Sequence, residues 1–288
     1  MEFKALTAEQ REQFDREGYL IIRNALDRQT VQKLVEAGDR LVASDRQRDR
    51  QRSKSEHDLI DGFRNVIAID DAFLPLLMHA STVPLIVQLF GPRIHLATSH
   101  LIYKYPRAAN APREDKKVGW HRDIANTPED LGHASIPRME MKCAYYLSDL
   151  TEPNSGVTLL SPGSNHLKER LYINPETGHP ENVLEPRLQA GDAVFFENRT
   201  WHAAGLNLSN RIRKAVMFGY SFRWVKPMDY IQQPKELLDK VDDIGRQLLG
   251  ATEDPQGRFI PGGGSEPLIA WCRKHGVTYA PPAELARV

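Results

Sequence analysis

Gly191-Asp192-Ala193-Val194-Phe195-Phe196, then Trp201-His202, then Gly205, Asn207, Ser209 and Arg213 leading into Lys214 to Trp224: this stretch sets the architecture. The Gly-Asp pair is a turn signal, and Ala193 to Glu197 reads as a buried strand. Lys214 to Trp224 reads as another. Upstream, Ile94 to Tyr103, Met139 to Leu147 and Gly156 to Ser161 also read as strands, with turn signals at Pro153-Asn154-Ser155-Gly156 and Pro162-Gly163-Ser164. Short strands flanked by helices predict a mainly β fold, a sandwich or jelly roll with helical buttressing.

The helices come first. Thr7 and Gln10 form a capping-box pattern ahead of a helix ending near Gly18, and Tyr19 to Ile22 is a short apolar strand. Asp27 starts a second helix with Val31, Leu34, Val35, Leu41 and Val42 on one face. Asp70 to Phe90 reads as helical, stopped by Gly91-Pro92. Ser44 to His57 is almost wholly polar with mixed charge signs, which predicts a solvated helix end running into a loop, or a lid over a substrate mouth. Pro106 to Gly119 reads as a charged loop. After Trp224 the spacing predicts a helix around Pro234 to Leu249, a loop at Gly262 to Gly264 and a short helix near Leu268 to His275. Leu237, Leu238, Val241, Ile244 and Leu248 give this tail an apolar face, to dock on the barrel or to form a homodimer.

The bulk properties narrow the function. The chain has 288 residues and zero formal net charge, so no electrostatic pull toward nucleic acid or membrane is expected. Two cysteines, Cys143 and Cys272, are too few for a disulfide framework, and no apolar run has signal or membrane length. The expectation is a cytoplasmic protein acting on a small molecule. One domain over 1–288 is expected, with a core at about 10–224 and a C-terminal helical extension at 225–288.

The chemistry sits in Gly119-Trp120-His121-Arg122-Asp123. A His and a carboxylate two apart on a strand share a face, because side chains alternate with period two. His202, from a distant strand, completes a set of two imidazoles and one carboxylate. That set suits iron(II) and leaves the opposite coordination face open for a co-substrate and O2. Arg213 can supply the bidentate cation that the distal carboxylate of 2-oxoglutarate needs. Arg211 shares its parity and competes for the role.

Five motifs in order resemble the phytanoyl-CoA dioxygenase family of iron(II)/2-oxoglutarate oxygenases. They are Trp120-His121-Arg122-Asp123; Tyr146-Leu147-Ser148-Asp149 through Asn154-Ser155-Gly156; Pro162-Gly163-Ser164-Asn165-His166; Gly191-Asp192 with Phe195-Phe196; and His202 through Asn207, Ser209 and Arg213. The match covers roughly residues 10 to 224. Ser155 interrupts Asn-Gly, Asn165 interrupts Ser-His, and Arg122 stands where Gln is frequent. The resemblance implies a double-stranded β-helix of jelly-roll type. It implies His121, Asp123 and His202 as iron ligands and Arg213, rather than Arg211, as the 2-oxoglutarate anchor. Tyr103, Lys104 and Ser209 are further candidates for the co-substrate pocket. Trp120 and His166 read as structural, Cys143 as a small buried hydrophobe, and His95 and His100 as core or surface histidines on a strand that could face the pocket.

The implied reaction is hydroxylation of an unactivated C–H in a small metabolite, with 2-oxoglutarate decarboxylated to succinate. Related enzymes desaturate, cyclise or epoxidise. A halogenase would lack the carboxylate ligand, and Asp123 is present. A non-catalytic binding protein on the same fold would have lost a ligand or the arginine, and a keto-acid-independent zinc enzyme would not need Arg213.

Overall fold

A computed structural model describes residues 1–44, 50–52, 59–108, 118–124, 126–251 and 265–279, with backbone alone at 50–52. Helix α1, Ala8–Glu17, carries the full capping box: Gln10 N donates to the Thr7 hydroxyl and Thr7 N to the Gln10 side chain. Strand β1, Tyr19–Ile22, leads to α2, Arg28–Ala43, capped by Asp27 and burying Val31, Leu34, Ala37, Gly38 and Leu41.

Three elements then depart from the expected pattern. Part of the charged segment, Arg50–Arg52, is a strand, β2, paired with β3, Ile60–Arg64, which the sequence pattern did not reveal. The rest of that segment beyond Ser44 lies outside the described residues. Asp70 to Phe90 is not one helix. It is a 3-10 turn, Asp71–Met78, followed by α3, Val83–Phe90. Pro84 sits in the first turn of α3, where its missing N–H costs no helical bond, so the second piece starts as a separate helix.

The strands expected from the sequence follow, with a short one added at His202. They are β4, Ile94–Lys104; β5, Glu140–Tyr146; β6, Thr158–Leu160; β7, Ala193–Glu197; β8, His202–Ala204; and β9, Arg213–Phe222. A short helix α4, Thr127–Leu131, follows the His-x-Asp segment. Seven strands form one antiparallel sheet in the order β1-β7-β5-β9-β4-β3-β2, faced by the β6-β8 pair. Isolated bridges His121–His202, Ser155–Asn207 and Leu160–Leu184 extend the smaller layer. This is the jelly-roll type of fold, with no closed barrel among the described residues.

The large sheet has two faces with different company. Leu101, Tyr103, Cys143, Tyr145, Phe195, Val216, Phe218 and Tyr220 pack outward against the helices. Ala144, Tyr146, Val194, Phe196 and Ala215 point inward, toward Val157, Leu159 and Leu160 of the small layer. Beyond Trp224 the expected helix is two pieces, α5, Lys235–Leu238, and α6, Asp243–Leu248, followed by α7, Pro267–Lys274. Leu237, Leu248, Leu268 and Trp271 are buried in the outer core, and Gln247 Nε2 donates to the carbonyls of Pro92 and Ile94. Leu238, Val241 and Ile244 of the same face are half-buried against that core.

Candidate metal centre

The two histidines meet through the backbone. His121 N donates to the His202 carbonyl at 2.9 Å and His202 N to the His121 carbonyl at 3.0 Å. Their rings lie 4.3 Å apart, centre to centre. His121 is an isolated bridge rather than part of a strand, and Ile124 turns the chain with a φ of 57°. The strand alternation expected for His121 and Asp123 is thus replaced by a bridge followed by a bend. The outcome is the same: one ligand atom from each of His121, Asp123 and His202 lies within 4.8 Å of the other two.

The orientation of each donor fits a cation. Nδ1 of His121 lies 2.8 Å from the Gly119 carbonyl, and Nδ1 of His202 lies 2.9 Å from the Thr200 carbonyl. Since a carbonyl only accepts, each Nδ1 carries the proton and each Nε2 presents a lone pair, the arrangement common around metal-bound histidines. Burial pushes the His202 imidazole down to about 4, so it is neutral and ready to ligate. The Asp123 Oδ2 atom is buried with no hydrogen-bond partner, 3.7 Å from His202 Nε2. Burial opposes the charge on Asp123, but nearby cations, Lys142 foremost, outweigh it and hold the carboxyl below its ordinary range. An orphaned carboxylate oxygen facing two imidazole lone pairs is what a divalent ion would satisfy.

Neighbours fix these segments in place. Arg122, flanked by two ligands, points away from them. Its guanidinium donates to the carbonyls of Arg199, Ser164 and Leu167 and lies 5.4 Å from the Trp201 ring centre. It thereby ties the His121–Asp123 bend to the segment carrying His202. Trp120 donates to the Gly178 carbonyl and His166 pairs with the Asp15 carbonyl, both structural roles as expected.

The cationic end lies where β4 ends and β9 begins. Lys104 pairs across the sheet with Arg213, so the two share the inward face; both are nearly fully buried, while Arg211 is exposed. Burial separates the two arginines: Arg213 is enclosed and Arg211 is not. Arg213 also stacks 5.8 Å from the Tyr146 ring. Asn207, fully buried, donates to the carbonyls of Lys104 and Arg211 and so fastens the two strand ends together. Gly156, at a φ of 82°, lies against it: a Cβ there would sit 3.1 Å from Asn207 Cβ and 3.5 Å from Arg213 Cβ.

Two sequence candidates fall outside this pocket. Tyr103 points outward, its hydroxyl donating to Asp39 Oδ1 at 2.7 Å on α2. Adjacent strand residues face opposite ways, so Lys104 and Tyr103 cannot both enter. Ser209 Oγ donates to Asn207 Oδ1 at 2.7 Å and accepts from Arg211 N; it shapes the turn. Conversely, His100, read as a core or surface histidine that could face the pocket, does face inward. Burial, helped by Arg64, Lys142 and Arg213, lowers its pKa to about 3. His95 is the satisfied core histidine, 3.0 Å from Ser221 Oγ.

The model of the phytanoyl-CoA dioxygenase (PhyH) family matches residues 14–215. The chain belongs to this family. Membership makes it an enzyme of the iron/2-oxoglutarate-dependent dioxygenase class, as the five motifs had implied. The dioxygenase andF of Emericella variicolor is 24% identical over 244 residues, covering 81% of this chain and 80% of that one. Among solved structures, the epimerase SnoN in complex with Fe3+, alpha ketoglutarate and nogalamycin RO is 20% identical with a TM-score of 0.61, covering 90% of this chain and 96% of that one. HygX from Streptomyces hygroscopicus, with nickel, 2-oxoglutarate and hygromycin B bound, is 16% identical with a TM-score of 0.59, covering 77% and 90%. These structures share the fold.

Proposed function

We propose that the protein hydroxylates an unactivated C–H of a small organic metabolite, using iron(II) held by His121, Asp123 and His202 and 2-oxoglutarate held by Arg213 with Lys104. The carrying observation is the orphaned Asp123 oxygen among two Nε2 lone pairs, with all three donors within 4.8 Å. When bound, iron and 2-oxoglutarate supply the oxidising power drawn from O2, releasing CO2 and succinate. The protein's own residues do the rest. The backbone carbonyls of Gly119 and Thr200 keep both imidazoles in one tautomer. Phe196 lies 4.6 Å from the His202 ring and screens it from water. Arg213 and Lys104 present cations to the distal carboxylate, and Asn207 keeps them adjacent. Residues 1–288 act as one unit in this reading, the extension packing on the core.

Asp123 weighs against a halogenase. The similarity in fold to SnoN, an epimerase, supports a second reading in which C–H removal ends in another outcome, such as desaturation or cyclisation. The test is a metabolite screen for substrate-dependent succinate formation, repeated under 18O2. Hydroxylation predicts one 18O atom in the product. A product that is oxidised but unlabelled sinks hydroxylation in favour of the second reading, and loss of no activity in His202→Ala sinks the ligand assignment.

A further inference from the structure

The inward face of β5 reads Glu140, Lys142, Ala144, Tyr146. Two charges open this row, at the end of β9 away from Arg213. Lys142 Nζ lies 2.6 Å from Glu140 Oε1, and the pair stands opposite Gly219 and Ser221 of β9. Room for it is made by Gly219: a Cβ there would come 2.5 Å from Glu140 Oε1, 2.6 Å from Thr98 Cγ2 and 3.0 Å from Lys142 Nζ. A second pair lies beside the first. Arg64 on β3 donates to Thr98 Oγ1 at 3.2 Å and to Asp229 Oδ1 at 3.3 Å. Asp229 comes from the C-terminal extension and also accepts from Thr98 Oγ1 and from the backbone of Ser99 and Asn65.

Both pairs are arranged the same way round. The carboxylates are sealed, with Glu140 and Asp229 side chains each 1% exposed, whereas Lys142 is 11% and Arg64 41% exposed. Within each pair the cation is the more exposed partner. Between strands β3 and β9, His100 is paired across to Arg64 and Met217, and its Nε2 is buried with no hydrogen-bond partner. Burying ion pairs in place of apolar side chains adds little to stability, so this wall is costly as mere packing. It is also distinct from the 2-oxoglutarate end. Gly219 lies six residues along β9 from Arg213, roughly 20 Å at ~3.3 Å per residue, farther than one five-carbon diacid reaches. Asp123 is close enough to Lys142 to feel its charge.

We propose that the prime substrate carries a carboxylate, and that Lys142, supported by Arg64 and His100, holds it so that another part of the molecule lies over the metal residues. The inference rests on the metal and 2-oxoglutarate reading above. Protein loaded with Ni(II) and 2-oxoglutarate, which does not turn over, is titrated by calorimetry with matched small molecules, each a carboxylic acid and its primary amide. Acids that bind should do so about tenfold tighter than their amides, the worth of one charge-assisted contact. Lys142→Met should cut that preference to within about twofold in protein saturated with Ni(II) and 2-oxoglutarate. The paired variant Glu140→Gln/Lys142→Met, which does not leave the Glu140 carboxylate without its cation, should do the same and guards against a folding defect. Amides binding as well as acids throughout, or an acid preference surviving in both variants, overturns the proposal. Unaltered protein that takes up neither Ni(II) nor 2-oxoglutarate overturns the metal reading, and this inference with it.

Discussion

The two faces of the large sheet obey different rules although the same strands build them. Outward, β5 and β9 present Met141, Cys143, Tyr145, Val216, Phe218 and Tyr220, all fully buried against helices. Inward, the same strands present Glu140, Lys142, Arg213 and Gly219, charges and a gap. The outer face gains free energy by removing apolar surface from water. The inner face gives some of that up to position charge. The difference teaches where each kind of substitution should register: outer changes in stability, inner changes in ligand affinity.

The sharpest break of this division would come from Phe218→Ala. Phe218 is fully buried and packs edge-on against Tyr145 at 6.1 Å. Its truncation should cost about 3–5 kcal/mol in denaturant unfolding. The folded fraction should still bind Ni(II) as the unaltered protein does; a matching loss of metal affinity would show the faces to be coupled.

Arg213→Ala tests the inner face. Removing a buried charge-assisted partner should weaken 2-oxoglutarate binding by about 2–5 kcal/mol, roughly thirtyfold or more. Arg211→Ala, at an exposed position, should change it little. Calorimetry on the Ni(II)-loaded protein reads both, and a reversed ranking would reassign the anchor.

The smallest effect sharpens the boundary between neighbours. Tyr103→Phe removes the hydroxyl's bond to Asp39 and should cost about 1 kcal/mol of stability. Its 2-oxoglutarate affinity should match the unaltered protein, because the ring faces α2. A raised 2-oxoglutarate requirement would place Tyr103 inside after all.

Much of this was legible in residue order, and particular residues show why. The capping box at Thr7, the Asp27 cap and the apolar run in Ala193 to Glu197 are local signals whose physics acts within a few residues. Motif order brought His121, Asp123, His202 and Arg213 forward. What escaped was non-local. Strand β3 contains Asp61 and Gly62 and lacks an alternating pattern, so only pairing with β4 defines it. His100 differs from His95 only in what the fold places around it.

By itself, then, the amino-acid order determined the family, a candidate ligand set and most of the strands, because capping, turn signals and motif spacing are written in short range. Tertiary structure decided the rest: that Arg213 rather than Arg211 is buried, that Lys104 and not Tyr103 faces inward, and that the extension docks on its own chain and delivers Asp229 to Arg64. Each of those turns on a residue's surroundings across the sheet. Burial and register arise only when strands far apart in the chain are paired, since a shift of one residue in pairing moves every side chain to the opposite face.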